Sequence, residues 1–133
     1  MKIVNDHTMG LSVVATDTIF PMTLISEYSG DIYLTRDSLF INDNSIMELL
    51  HTSSADTSLT IIPHFHANLA KYLCGINNRE KKSIKKQNVK SIRININDKV
   101  RIFLFAFKTI QQGEFLYYNY NEDGYGYPTE NFI

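Results

Sequence analysis

The sequence has no tryptophan, one cysteine, three prolines and six glycines in 133 residues. The lone cysteine, Cys74, excludes an internal disulfide and a cysteine-rich zinc cluster, and such usage suits a reducing, intracellular compartment. No Pro/Gly/Ser-rich linker, internal repeat or low-complexity run interrupts the chain. Nothing approaches the ~18 uninterrupted apolar residues that a membrane span requires. The N-terminus lacks the basic-then-apolar pattern of a secretory leader. A Ser-centred elbow, a phosphate loop and a GxGxxG run are all missing. With 44% hydrophobic and 20% charged residues the composition is that of an ordinary globular chain, and the length suits one compact domain. Composition alone points to no function.

Net charge is only −1, but it is unevenly spread. Arg79, Lys81, Lys82, Lys85, Lys86 and Lys90 share a short segment with one acid, Glu80, so that segment carries +5 and the remainder −6. A solvated loop accounts for such a strip, and so does a surface that meets phosphates. The acidic remainder would attract a basic peptide.

The chain reads as many short strands with few helices. Leu11 to Ala15 and Thr23 to Tyr28 are rich in apolar and β-branched residues. Ser45 to Leu50 reads as a short helix capped by Asp43 or Asn44, and Asp31 to Asn44 as loop-rich. Leu59 to Ile62 is an apolar run stopped by Pro63, and Asn68 to Cys74 has helical spacing. Ile92, Ile94 and Ile96 alternate with Arg93 and Asn95 as a half-buried strand should. Asn97-Asp98 then turns into Lys99 to Phe107, with Val100, Ile102, Leu104 and Ala106 on one face and Arg101, Phe103, Phe105 and Phe107 on the other. After a turn at Gln111-Gln112-Gly113 comes an aromatic strand, Glu114 to Tyr120.

Five of the eight tyrosines lie between Tyr117 and Tyr127. The two-residue period puts Tyr118 and Tyr120 on one strand face. Paired phenols can line a slot, hold a cation against their rings and exchange hydrogen bonds; they can also be plain packing. His64-x-His66 offers two imidazoles but no third ligand at a characteristic spacing, so no metal is expected. Cys74 has no neighbouring histidine in sequence to activate it.

The ordered series of motifs is more informative. It runs Met9-Gly10-Leu11-Ser12, Glu27-Tyr28-Ser29-Gly30, Asn68 through Asn78, Gln87-Asn88-Val89, and Ile110 through Tyr120. This series resembles the SET-domain protein lysine methyltransferases. Ser45-Ile-Met-x-Leu-Leu50, Gly75-Ile-Asn-Asn78, Lys85-Lys-Gln-Asn88, Leu116 to Asn121 and the ending Tyr125-x-Tyr-Pro-Thr-x-Asn-Phe132 look like one branch, the plant-type trithorax-related histone H3 monomethyltransferases. The resemblance implies a mainly β SET-domain (β-clip) fold of several small sheets, with a C-terminal pseudoknot and a few short helices. It implies one SET domain over residues 1–133, with a variable insert at 31–62 and a tail at 121–133 replacing a zinc-binding post-SET segment.

The same resemblance implies S-adenosylmethionine as cofactor, bound by Gly10, Leu11, Ser12, Tyr28, Lys71, Tyr72, Cys74, Gly75 and Tyr120. Tyr120 matches the catalytic tyrosine, Tyr118 the position that limits the number of methyl groups, and Tyr28 a wall of the lysine channel. The expected reaction is monomethylation of the second Ala-Arg-Lys-Ser lysine of the histone H3 tail by a nuclear monomer. The Arg79–Lys90 strip is placed to touch nucleosomal DNA, and no membrane is involved. Three departures stand out. Ser12 replaces a family glycine, Lys71 an arginine, and Cys74 an asparagine whose amide serves the cofactor. A thiol supplies no amide donor and acceptor, so weakened cofactor binding is expected. A catalytically weak or inactive module that binds histone tails is the alternative. A small β-rich nucleic-acid binder is a third reading.

Overall fold

The computed structural model describes residues 1–43, 45–122 and 127–132. In chain order the strands are β1 (Lys2–Asp6), β2 (Gly10–Val14), β3 (Leu24–Glu27), β4 (Asp31–Leu34), β5 (Met47–Leu50), β6 (Leu59–Ile62), β7 (Cys74–Gly75), β8 (Val89–Ile96), β9 (Lys99–Ala106) and β10 (Tyr117–Tyr118). Two four-residue helices, α1 (Thr35–Ser38) and α2 (Lys81–Ile84), and a 3-10 turn at Leu69–Tyr72 complete the set. The strands form a two-stranded sheet β1-β2, a three-stranded sheet β4-β6-β5 and a five-stranded sheet β3-β9-β8-β10-β7. The mainly β expectation, with several small sheets and few helices, is met.

The chain divides into two compact units, one of residues 1–26, 72–91 and 104–133, the other of 27–71 and 92–103. In the first, the β1-β2 hairpin turns where the Asp6 carboxylate accepts the backbone N–H groups of Thr8 and Met9 at 2.9 and 3.0 Å. Gly10 opens β2 at φ 71°, a left-handed conformation costly for a residue with a Cβ. Val13, Val14, Leu73, Ile76, Val89, Leu104, Ile110 and Leu116 fill this unit's core.

The second unit packs Leu49, Ile61, Ile62, Ala70 and Ile102 with the ring of Tyr28. Its β8-β9 hairpin turns at Asn97 and Asp98, both at positive φ (51° and 61°), as a tight two-residue hairpin turn requires. Ile102, Leu104 and Ala106 are buried on the expected face of β9, with Phe103, Phe105 and Phe107 half-buried on the other.

Four sequence-based expectations are corrected. The stretch from Asp31 is not loop-rich at its start, where β4 and α1 lie, and the aromatic strand expected over Glu114 to Tyr120 is only β10, with Tyr120 in a turn. Ser45 to Leu50 is not a helix: Met47–Leu50 is β5, antiparallel to β6 with an irregularity between Glu48 and Leu50. Its apolar spacing fits either element, and sheet pairing decides it. Ile92, Ile94 and Ile96 are exposed rather than half-buried, because Arg93 turns inward and donates to the Glu48 carbonyl.

Candidate active site

The first unit's site is built around a threaded strand. β10 runs parallel to both of its neighbours, with Tyr117 opposite Cys74, Tyr118 opposite Gly75, and Tyr118 also opposite Val89. A strand so placed has no hairpin partner next to it in sequence, so side chains hold it. Asn88 does this: its amide donates to the Phe115 carbonyl at 2.9 Å and its carbonyl accepts the Tyr117 N–H at 2.8 Å. Backbone bonds from Cys74 to Leu116 and from Ile76 to Tyr118 fix β7 alongside.

This threading brings Tyr118 and Tyr120 together with ring centroids 4.5 Å apart. Tyr120 meets Tyr127 and Phe132 edge-on at 5.3 and 5.2 Å, and those two rings stack at 6.0 Å. Phe132 fills the space beside Gly75 that any side chain there would need. Asn77 and Asn78 tie the tail down through Glu130, Phe132 and Thr129, while Asn121 receives and donates bonds at Tyr127.

The Tyr120 hydroxyl donates to the Leu73 carbonyl at 2.9 Å. Burial pushes its ionisation far above the ordinary phenol value, reinforced by Tyr127 and Cys74 and opposed by a hydrogen bond with Tyr118. Tyr120 is therefore a neutral phenol at physiological pH. Its hydrogen is committed to Leu73, which leaves an oxygen lone pair as acceptor. It is no general base.

Gly10, Leu11, Ser12, Tyr72, Cys74 and Gly75 lie in this same unit. Leu11 is exposed and Tyr72 half-buried. Ser12 is buried, its hydroxyl donating to the Gly10 carbonyl at 3.2 Å. Burial raises the Cys74 thiol above its usual value, and a hydrogen bond with Ser12 opposes this. The thiol is thus protonated and not a nucleophile. Two of the three departures from the family pattern, Ser12 and Cys74, touch each other.

Tyr28 and Lys71 belong to the second unit. The Tyr28 hydroxyl donates to the Ser45 carbonyl, and the Ser45 N–H donates to Asp43 at 2.8 Å. Lys71 donates to Asp43 at 3.3 Å and to the Pro63 carbonyl at 2.8 Å. Burial alone would raise the Asp43 carboxyl, but Ser45, Lys71 and His64 together hold it below the ordinary value. A cavity of about 480 Å³ opens beside Tyr28, lined also by Gly30, Ile32, Leu49, Ile61 and Val100. At its edge Arg101 makes a bidentate ion pair with Glu27. His64 and His66 face separate carboxylates, Asp43 and Asp31. Among the described residues no three potential ligands gather as a metal site requires.

The residues that sequence reasoning did not single out as functional are the asparagines that hold the threaded strand and tail, with Tyr127 and Phe132. Their motifs were visible, but the pairing of Phe132 with Gly75 has no sequence signal. Tyr125, part of the branch-specific ending, lies outside the described residues, as does Asn44.

A strand threaded in parallel between two earlier ones, with Tyr118 opposite a glycine and Tyr120 packed against it from the following turn, is the arrangement of a SET domain. The SET-domain family model matches residues 10–121, and the chain belongs to that family. Among individual proteins it is 40% identical, over its whole length, to histone-lysine N-methyltransferase ATXR6 of Arabidopsis thaliana, covering 38% of that protein. It is 39% identical to a probable histone-lysine N-methyltransferase ATXR5 of Ricinus communis, again over its whole length, covering 36% of that relative. The chain thus spans little more than a third of these curated relatives. The crystal structure of ATXR5 in complex with histone H3.1 mono-methylated on an arginine superposes with a TM-score of 0.95 at 39% identity, over 98% of this chain and 61% of that one. The Chaetomium thermophilum polycomb repressive complex 2, at 18% identity and TM-score 0.72 over 98% of this chain and 16% of that one, shares the fold.

Proposed function

We propose that this chain is an S-adenosylmethionine-dependent histone H3 lysine methyltransferase domain that adds one methyl group and acts in the nucleus. The observation that carries the reading is the Tyr118–Tyr120 pair, Tyr118 on the threaded strand and Tyr120 in the turn that follows it, with the Tyr120 hydroxyl donating to Leu73. Similarity over the whole of this chain to part of two histone-lysine methyltransferases supports it.

The residues present fit the cofactor. Gly10 sits at positive φ with nothing within 4 Å of where a Cβ would stand, so its backbone is open to a bound molecule. Gly10, Leu11 and Ser12 would hold the amino-acid end, with Cys74 and Gly75 behind them and Tyr120 at the methyl. When bound, S-adenosylmethionine supplies an electrophilic methyl group. The neutral oxygens of Tyr120 and Leu73 suit a sulfonium methyl, whose C–H groups make weak contacts with oxygen.

The chain's own residues do the rest. A substrate lysine is protonated in water, with a pKa of about 10.4, and cannot attack carbon. Tyr118 and Tyr120 supply aromatic walls that exclude water and disfavour the ammonium form. Tyr120, a neutral phenol donating to Leu73, does not serve as base, so the proton leaves to solvent before transfer. Alignment then supplies most of the rate. The Tyr118 hydroxyl takes room that a more methylated amine would need and holds the amine by hydrogen bond, which favours monomethylation.

Mass spectrometry of an H3-tail peptide incubated with S-adenosylmethionine tests the proposal. A single added methyl on the second Ala-Arg-Lys-Ser lysine is expected; unmodified peptide counts against it. Cys74 favours a second reading, a tail-binding module of little activity. In that case the peptide binds but stays unmodified, and Cys74→Asn restores transfer.

A further inference from the structure

The basic segment of the first unit was read from sequence as a solvated loop or a phosphate contact, and the structure separates the two. Residues Lys81–Ile84 form α2, with Lys85 as its C-cap. Ser83 faces inward and accepts the Asn77 N–H at 2.8 Å. Lys81 and Lys85, and likewise Lys82 and Lys86, are four apart and line two outward rows. Like charges at this spacing repel. A solvated face selected for stability would alternate in sign; this one does not.

The strip is also larger than its sequence segment. Lys108 donates to the Lys85 carbonyl at 3.1 Å and so adds a further cation at the end of α2. Lys90 and Lys108 lie over the Phe107 ring at 5.2 and 5.1 Å, and Lys86 over Tyr117 at 5.7 Å. Two cations are neutralised, Arg79 by Glu130 and Lys90 by Glu122. Among the described residues Lys81, Lys82, Lys85, Lys86 and Lys108 have no carboxylate partner. Five unpaired ammonium groups held on one surface, two of them over aromatic rings, need counter-ions.

We propose that this surface binds the phosphate backbone of double-stranded DNA. Lysines act as point charges on phosphate and carry no bidentate base readout, so the contact is independent of sequence. Single-stranded nucleic acid is the poorer fit. Its binders offer open aromatic platforms to the bases, whereas Phe107 and Tyr117 are covered by lysines. The choice of DNA over duplex RNA rests on the histone reading above. Tyr117, under Lys86, immediately precedes Tyr118, so the DNA-binding surface borders the catalytic strand.

The test is binding of a fluorescent DNA duplex by the whole chain across a salt series. If all five lysines engage, log K falls with log salt at a slope of about −4.5, which is about 10²–10³-fold between 50 and 200 mM. The triple variant Lys81→Gln/Lys82→Gln/Lys85→Gln should bring the slope to about −2, and the arginine triple should retain the parent slope. Methylation of free H3 peptide should be unchanged in the glutamine triple, which keeps this test separate from the methyl-transfer reading. No duplex binding at 50 mM salt, an unchanged slope in the glutamine triple, or tenfold tighter binding of single-stranded or duplex RNA would each overturn the proposal.

Discussion

The ring of Phe132 occupies the space that a side chain on Gly75 would need, so the C-terminal tail and strand β7 are mutually shaped. The relation gives that glycine a steric reason: the tail's aromatic ring already fills the place. Gly75→Ala should cost about 1–3 kcal/mol, the usual penalty for overpacking. Adding Phe132→Ala should recover part of that loss, so the two changes are non-additive by about 1 kcal/mol. Urea denaturation of the two single variants and the double variant measures this directly.

Cys74 and Ser12 form one buried unit beside Gly10. Restoring an amide with Cys74→Asn should tighten binding of S-adenosylhomocysteine by an amount on the order of 1–3 kcal/mol. Ser12 crowds the new side chain, so Ser12→Gly/Cys74→Asn should bind more tightly than Cys74→Asn alone. Isothermal titration of the three proteins checks the order.

Tyr118 and Tyr120 should separate in assay. Under the proposed function, Tyr118→Phe removes the hydroxyl proposed to restrict the product and should shift it from monomethyl toward dimethyl lysine with little loss of rate. Tyr120→Phe removes the oxygen engaged with Leu73 and should slow transfer about 10²-fold, in the range seen for loss of one preorganised polar group. Mass spectra of timed reactions distinguish product shift from rate loss.

Asp43 gives the second unit an acid sensitivity. Its carboxyl lies below the ordinary value in the folded chain because Ser45, Lys71 and His64 outweigh its burial. A depressed folded value means stabilisation that is complete above the unfolded carboxylate value of about 4 and is lost as pH falls through the folded value. Asp43→Asn should therefore be less stable than the parent at pH 7 and approach it at pH 2–3, by about 1 kcal/mol or less after allowance for solvent screening. Thermal melts of the parent and the variant across pH test this.

Much of the fold was legible because alternation survives in short strands. β2, β3, β6 and β9 lie where apolar and β-branched runs placed them, and the Asn97-Asp98 turn took its expected form. Ser45 to Leu50 misled because Ile46, Leu49 and Leu50 suit a helix as well as a strand, and only pairing with β6 settles it. Ile92, Ile94 and Ile96 misled because alternation does not say which face is covered; the inward bond of Arg93 to Glu48 decides that. The candidate site was readable as ordered motifs, but the closeness of Tyr118 to Tyr120 does not come from strand period: the strand ends at Tyr118 and Tyr120 lies in the turn that follows. The clamp by Asn88 and the fit of Phe132 to Gly75 were not readable. Both join segments far apart in sequence through contacts that have no local signature.

A titration of the parent chain with S-adenosylhomocysteine in a calorimeter goes most directly to the core of this account. Saturable one-to-one heat is the forecast, strengthened by Cys74→Asn and diminished by Phe132→Ala. Flat traces for both the parent and Cys74→Asn, from folded protein, would leave the Gly10, Cys74 and Tyr120 surroundings without a cofactor and contradict it.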